Sequence, residues 1–268
     1  MSNSSNKPTA TDVSQWISSA TGQGVLSPAS ASLVTGNLGA VVIAGAAGRA
    51  LEDIDAADVT LVTVLIDASS SIPGRKLEQP VRDGHGQLLA AFAKSKEKDA
   101  VLMATWLFNH QVNVLHSYVP VGDASALDTK NYAGSGGTAL YDTWCDALAA
   151  NVAYAQQLKD GGTPTRSIVV VITDGEDTGS RRTTRDCATI TRDVLASEQF
   201  IVAFVGVGKD VDFKKVARAM GIPDGCVLVE ADATEKGLKR VFQLVSQSAI
   251  RASQGRIQPG PAAGFFTP

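Results

Sequence analysis

Four continuous runs of apolar and β-branched residues, at positions 59–66, 101–108, 168–172 and 200–207, constrain the fold more than any other feature of the chain. A strand without a polar face needs cover on both sides, so these runs belong inside a sheet flanked by helices. Between them lie stretches of helical period. One carries Leu77, Val81, His85, Leu88 and Phe92 on a single stripe, and another carries Tyr141, Trp144, Leu148, Val152 and Ala155. Strand alternating with helix is the pattern of a parallel α/β sheet. One pair departs from it: runs 101–108 and 112–119 are joined only by Asn109, His110 and Gln111, a link that suits antiparallel neighbours alone. The second of that pair is expected at the sheet's edge.

The last short strand is expected at Cys226 to Val229. Asp232 and Glu235 then offer a cap for a helix carrying Leu238, Val241, Phe242, Val245 and Ala249. These limits define a domain over residues 55–252. Residues 1–54 form an N-terminal extension of unknown role, with a short helix around Val13, Trp16 and Ile17 and a hairpin or strand pair over 33–43 turning at Gly36-Asn37. Residues 253–268, rich in Gly, Pro and Gln, read as a flexible tail, in which Gly264-Phe265-Phe266 is either a docking motif or an incidental terminus.

A chain of 268 residues, 44% of them hydrophobic, can fill one sizeable core. Its formal net charge of −3 provides no cationic footprint for nucleic acid or acidic membranes. The N-terminus lacks the basic-then-apolar order of a signal peptide, and the longest mostly apolar run, 38–47, is too short to span a bilayer. Cys145, Cys187 and Cys226 are widely spaced, without the pattern of a zinc knuckle or disulfide framework. They are expected as buried thiols in a reducing compartment. Without a signal-peptide pattern or a bilayer-length run, the protein is expected in the cytoplasm.

The residues most informative about function stand where strands end. After the first run comes Asp67-Ala-Ser69-Ser-Ser71, in which one carboxylate and two hydroxyls can converge as the chain turns. Gly134-Ser-Gly-Gly137-Thr138 precedes the helix of Tyr141 and Trp144, and its glycines let the backbone loop closely enough to present the Thr138 hydroxyl. Thr173-Asp174-Gly175-Glu176-Asp177 follows the third run. In open parallel sheets, ligands bind at the carboxyl ends of strands near the switch in strand order.

Asp67, Ser69, Ser71, Thr138 and Asp174, in this order, resemble the metal-ion-dependent adhesion site (MIDAS) of von Willebrand factor A domains, intracellular bacterial ones among them. The likeness covers residues 55–252. It implies a Rossmann-like, doubly wound, mostly parallel sheet with one antiparallel edge strand. It also implies Ser69, Ser71 and Thr138 as direct ligands, with Asp67 and Asp174 acting directly or through water. Mg²⁺ suits such hard oxygens, and Mn²⁺ can substitute. With neutral hydroxyls nearest, the ion stays electrophilic towards an Asp or Glu of a protein partner. Intracellular bacterial relatives work beside AAA+ ATPases or in stress and defence settings, and the resemblance implies such a partner.

Each residue also has a plainer reading. Asp67, Ser69 and Ser71 could cap a helix, and Asp174 could serve a turn. Glu176 and Asp177 read as a solvated loop, His85 as a satisfied semi-buried side chain, and His110 as a turn residue. No histidine, His116 included, is placed beside the metal loops as a base. Arg181, Arg182 and Arg185 read as a solvated charged face rather than a steering patch, and residues 119–137 as either binding rim or surface variation. The leading expectation is a non-enzymatic, Mg²⁺-dependent protein-binding module. The alternatives are a metal-dependent hydrolase or phosphotransfer enzyme and a scaffold subunit working through its terminal extensions.

Overall fold

The computed structural model describes residues 7–36 and 38–267. Six strands, β1 (Val59–Asp67), β2 (Val101–Phe108), β3 (Val112–Pro120), β4 (Thr165–Thr173), β5 (Phe200–Val207) and β6 (Val227–Glu230), form one sheet in the order β3-β2-β1-β4-β5-β6. All neighbours are parallel except β2 and β3, whose antiparallel pairing follows from the short link between them. Every residue of β1, β2 and β5 is buried, whereas β3 is mostly half-buried, as an edge strand should be. This is the doubly wound architecture implied by the strand patterning.

The helices are α1 (Ala10–Gly22), α2 (Pro28–Thr35), α3 (Ala40–Gly45), α4 (Ser71–Gly74), α5 (Glu78–Ala93), α6 (Leu140–Asp160), α7 (Thr184–Ala196), α8 (Phe213–Ala219) and α9 (Glu235–Ser253). Helices α5 and α9 pack together on one face of the sheet, and α6 and α7 cover the other. Asn151 of α6 donates to Thr63 Oγ1 of β1 (3.2 Å) and accepts from Ser167 Oγ of β4 (2.6 Å). That buried polar link fixes α6 across the two central strands, since an unpaired amide there would be costly. Among the described residues, no helix is long and apolar enough to cross a membrane.

Two terminal segments differ from expectation. The stretch expected as a hairpin at 33–43 holds the end of α2 and the start of α3; Asn37 of the expected turn lies outside the described residues. Ser27 caps α2 by accepting from Ser30 N, and Pro28 occupies its first turn, a start signal that outweighs the apolar spacing. Helices α1 and α3 pack on α6, and Val13, Ile17, Ala20, Val42 and Ala46 join the main core. Gly45 approaches Trp106 so closely that a Cβ there would stand 2.0 Å from the indole.

The expected flexible tail instead lies against the body. Phe265 is fully buried and meets Phe266 edge-on, Gly260 N donates to Phe200 O (3.0 Å), and Phe266 N donates to Gly225 O (3.1 Å). The tail's own composition cannot order it. The core's apolar surface supplies what it lacks.

Candidate metal centre

Strands β1 and β4 are neighbours, yet the chain leaves β1 for β2 on one side and β4 for β5 on the other. Their carboxyl ends therefore flank the crevice at the switch in strand order. Asp67 closes β1, and its buried carboxylate accepts from Ser69 N at Oδ1 (2.8 Å) and from Thr173 Oγ1 at Oδ2 (2.5 Å). The first of these bonds turns the chain sharply. Ser69 Oγ then lies 2.9 Å from Ser71 Oγ, which donates to Asp174 Oδ1 at 2.6 Å. Asp67, Ser69, Ser71 and Asp174 thus form one continuous hydrogen-bonded set drawn from two strand ends.

The glycine loop closes over this set. Ser70 N donates to Gly136 O (3.0 Å) and Ser135 N to Ala68 O (2.8 Å). Gly136 has φ +70°, a left-handed conformation that favours glycine, and a Cβ on Gly134 would stand 2.7 Å from Ser69 O. Thr138 is held by its backbone: its N–H donates to Thr178 Oγ1 and its carbonyl accepts from Thr178 N, both at 2.8 Å. The Thr138 hydroxyl does not join the hydrogen-bonded set, but it lies beside Gly175, where a Cβ would be 3.6 Å from Oγ1. All five residues anticipated from sequence therefore border one crevice.

Burial drives the electrostatics. It pushes Asp67 up to about 6, against the opposing bonds from Thr173 and Ser69. Burial also raises Asp174, opposed by the Ser71 bond and by Arg75. Asp174 Oδ2 is buried without a hydrogen-bond partner, and Arg75 Nη1 stands 3.6 Å away, too far to donate. Arg75 is instead bonded to Asp210 at 3.0 Å. Among the described residues, no group of three or more His, Cys, Asp or Glu side chains is arranged to hold a metal. The donors that do converge are two under-compensated carboxylates and neutral hydroxyls, a set that fits a hard divalent cation and offers nothing to a soft one.

Several residues around the crevice were given no role of their own by the sequence, although Tyr132 lies in the 119–137 stretch read as either binding rim or surface variation. Thr173 stands one step beyond the Ile66–Ile172 pair in the β1–β4 register, and that register was the available signal. Tyr132 is buried and donates to Asp67 O (2.7 Å), while Glu78 Oε1 accepts from Gly134 N (3.0 Å). Neither contact has a local sequence signature. His110, expected to serve a turn, is exposed and overlies Gly136, where a Cβ would be 2.1 Å from Nδ1. His85 is buried as expected, with Nε2 3.2 Å from Thr105 Oγ1.

Other expectations for the surroundings need correction. Arg182 is not part of a solvated face: it is half-buried and paired with Asp146, while the backbone N–H groups of Arg181 and Arg182 donate to the Asp142 carboxylate (3.0 and 2.9 Å). Two acids one turn apart on α6 draw that segment inward. Asp177 is likewise structural, accepting from Ser180 Oγ (2.5 Å) and Tyr141 N (3.2 Å).

No protein-family model matches the sequence, and no curated protein matches it. Among solved structures, the chain is similar to proximal thread matrix protein 1 from the mussel byssus, with TM-score 0.51 and 20% identity over 74% of this chain and 47% of that one. It is similar to the pilus adhesin SpaC from Lactobacillus rhamnosus GG, with TM-score 0.54 and 15% identity over 73% and 31% of the two chains. The minor pilin PilB from Streptococcus sanguinis matches with TM-score 0.52 and 11% identity over 75% and 63%. The chain has the von Willebrand factor A fold. It spans less than two thirds of each of these proteins, and about half of the first. The fold is thus one that an adhesin and a matrix protein share.

The expected cytoplasmic location is overturned by these neighbours, because a byssal thread and a pilus are structures outside the cell. The expectation leaned on an N-terminus without a signal-peptide pattern, on the lack of a bilayer-length apolar run, and on cysteines read as reduced thiols. All three cysteines are buried, so their spacing in the sequence carries no information about the compartment.

Proposed function

We propose that this chain is a non-enzymatic protein-binding module in which Asp67, Ser69, Ser71, Thr138 and Asp174 hold one Mg²⁺, replaceable by Mn²⁺. The bound ion supplies an electrophilic position for a carboxylate from an Asp or Glu of a partner protein. One observation carries the reading: two buried carboxylates from adjacent strand ends are joined through the Ser69 N–H and the Ser69 and Ser71 hydroxyls, and Asp174 Oδ2 is left without a donor. A buried carboxylate oxygen without a partner is costly, and a cation is the compensation that the donor set suits. Ser69 and Ser71 keep their oxygens oriented through their mutual bond, while Thr173 and Tyr132 hold Asp67 in place from behind. The partner is defined here by its acidic side chain. Nothing at this crevice favours the AAA+ subunit implied by the resemblance.

The test is capture of partner protein by the wild type and by Asp67→Ala, each in Mg²⁺ and in EDTA. Loss of capture both in EDTA and in the variant is expected, with the variant's circular dichroism unchanged. The hydrolase reading draws on one observation, the exposed His110 beside the glycine loop. Phosphoester turnover abolished by His110→Ala would favour it over the binding reading. For the scaffold reading, truncation is a poor test. Removing either end would delete core residues such as Val13 or Phe265, and the result would report folding.

A further inference from the structure

Cys145 and Cys187 stand apart from the crevice, and neither the fold nor the proposed function employs them. Cys145 lies in α6 and Cys187 in the first turn of α7, with their sulfurs 3.6 Å apart and both residues fully buried. We propose that these two residues are the halves of an intramolecular disulfide that ties α6 to α7. A disulfide needs sulfurs at about 2.05 Å, so closure asks for roughly 1.6 Å of movement shared between two side chains. The two helices are already held side by side by Trp144 Nε1 donating to Thr191 Oγ1 (2.9 Å), and the Arg182–Asp146 pair anchors the segment just before α7 to α6. Cys226 cannot compete, because it is buried near the start of β6 and donates to Ala263 O at 3.0 Å. A metal role is unsupported, since the pair belongs to no group of three or more candidate ligands among the described residues.

The position gives the bond a consequence. Helix α6 begins directly after the Thr138 loop and α7 directly after the Asp174–Thr183 loop, and both cysteines lie near those starting ends. A bond there would strap together the two helices that carry the crevice's second and third loops. The chemistry is a thiol–disulfide exchange with a small disulfide oxidant such as oxidised glutathione. Two S–H bonds break and one S–S bond forms, while the oxidant's S–S bond takes up the two electrons and two protons and departs as two thiols. The hydrogen bond with the Cys145 thiol, together with burial, disfavours the Cys187 thiolate in the folded chain, so the bond forms as α7 docks and only slowly afterwards.

The test is to refold the full chain in mixed reduced and oxidised glutathione, block free thiols, and map peptides without reduction. A linked Cys145–Cys187 peptide pair with Cys226 blocked is the expected result. The two cysteines are 42 positions apart, and closing a loop of that size predicts a melting temperature about 5–10 °C above that of the same sample after dithiothreitol. Cys187→Ala, a small buried replacement, should show no such difference between oxidised and reduced samples. Three blocked thiols after oxidative refolding, a link through Cys226, or a linked pair without a rise in melting temperature would each overturn the proposal.

Discussion

Replacing Asp67 by Asn should stabilise the metal-free protein at pH 8, although it removes a residue central to the site. Burial holds the Asp67 carboxyl at about 6 where an exposed aspartate has 3.8. Keeping it charged in the fold therefore costs about 3 kcal/mol once the pH is above that value. A folded-state value raised in this way contributes stability that is full below 3.8 and is lost as the pH rises through 6. Asn removes the charge and retains most of the contacts: its oxygen can accept from Ser69 N, and its amide can donate to Thr173 Oγ1, whose hydroxyl can turn to Gly175 O at 3.2 Å. Allowing for imperfect geometry, the net gain at pH 8 in EDTA should be about 1–3 kcal/mol. Urea unfolding of both proteins in EDTA at pH 8 and pH 5 measures it. The gap should narrow at pH 5, and added Mg²⁺ should stabilise the wild type while leaving the variant unmoved. A variant less stable than wild type at pH 8, or a gap independent of pH, would refute the reasoning.

Arg75→Gln should raise Mg²⁺ affinity by several-fold to about tenfold in calorimetry. A guanidinium 3.6 Å from Asp174 opposes an incoming cation, and its partial exposure limits the effect to about 1 kcal/mol. Unchanged or weaker affinity would mean that Arg75 is electrostatically irrelevant. Phe265→Ala should lower unfolding free energy by about 3–5 kcal/mol, since the ring is fully buried, and a change under 1 kcal/mol in urea melts would contradict the packed tail. Gly84→Ala should destabilise by a few kcal/mol on the same assay, because a Cβ there would stand 2.1 Å from the Phe242 ring where α5 meets α9.

The sheet was legible because its central strands are buried on both faces, which leaves an unbroken apolar signature, and because three residues cannot connect parallel strands. The antiparallel edge and the crevice at the strand ends followed directly. The N-terminal helices were harder: two short apolar runs on either side of Gly36-Asn37 read as a hairpin, whereas the capped start of α2 and the packing of α3 on α6 make the flanking segments helical. The tail failed for the mirror reason, since Phe265 finds its partner surface in residues far away in sequence.

At the crevice, Asp67, Ser69, Ser71 and Asp174 were legible because each sits within a few residues of a strand end. Thr173, Tyr132, Arg75 and His110 depend on strand register or on the path of a long loop, which no local pattern records. Arg182 misled because charge in a loop usually means solvent, and only the fold brings Asp142 and Asp146 to it.

The central claim is that one divalent cation binds among Asp67, Ser69, Ser71, Thr138 and Asp174. Anomalous diffraction from crystals grown with Mn²⁺ tests it most directly. The account predicts a single strong peak in that crevice that is absent from crystals of Asp67→Ala. A wild-type crevice without a peak, or a peak that survives the substitution unchanged, would contradict it.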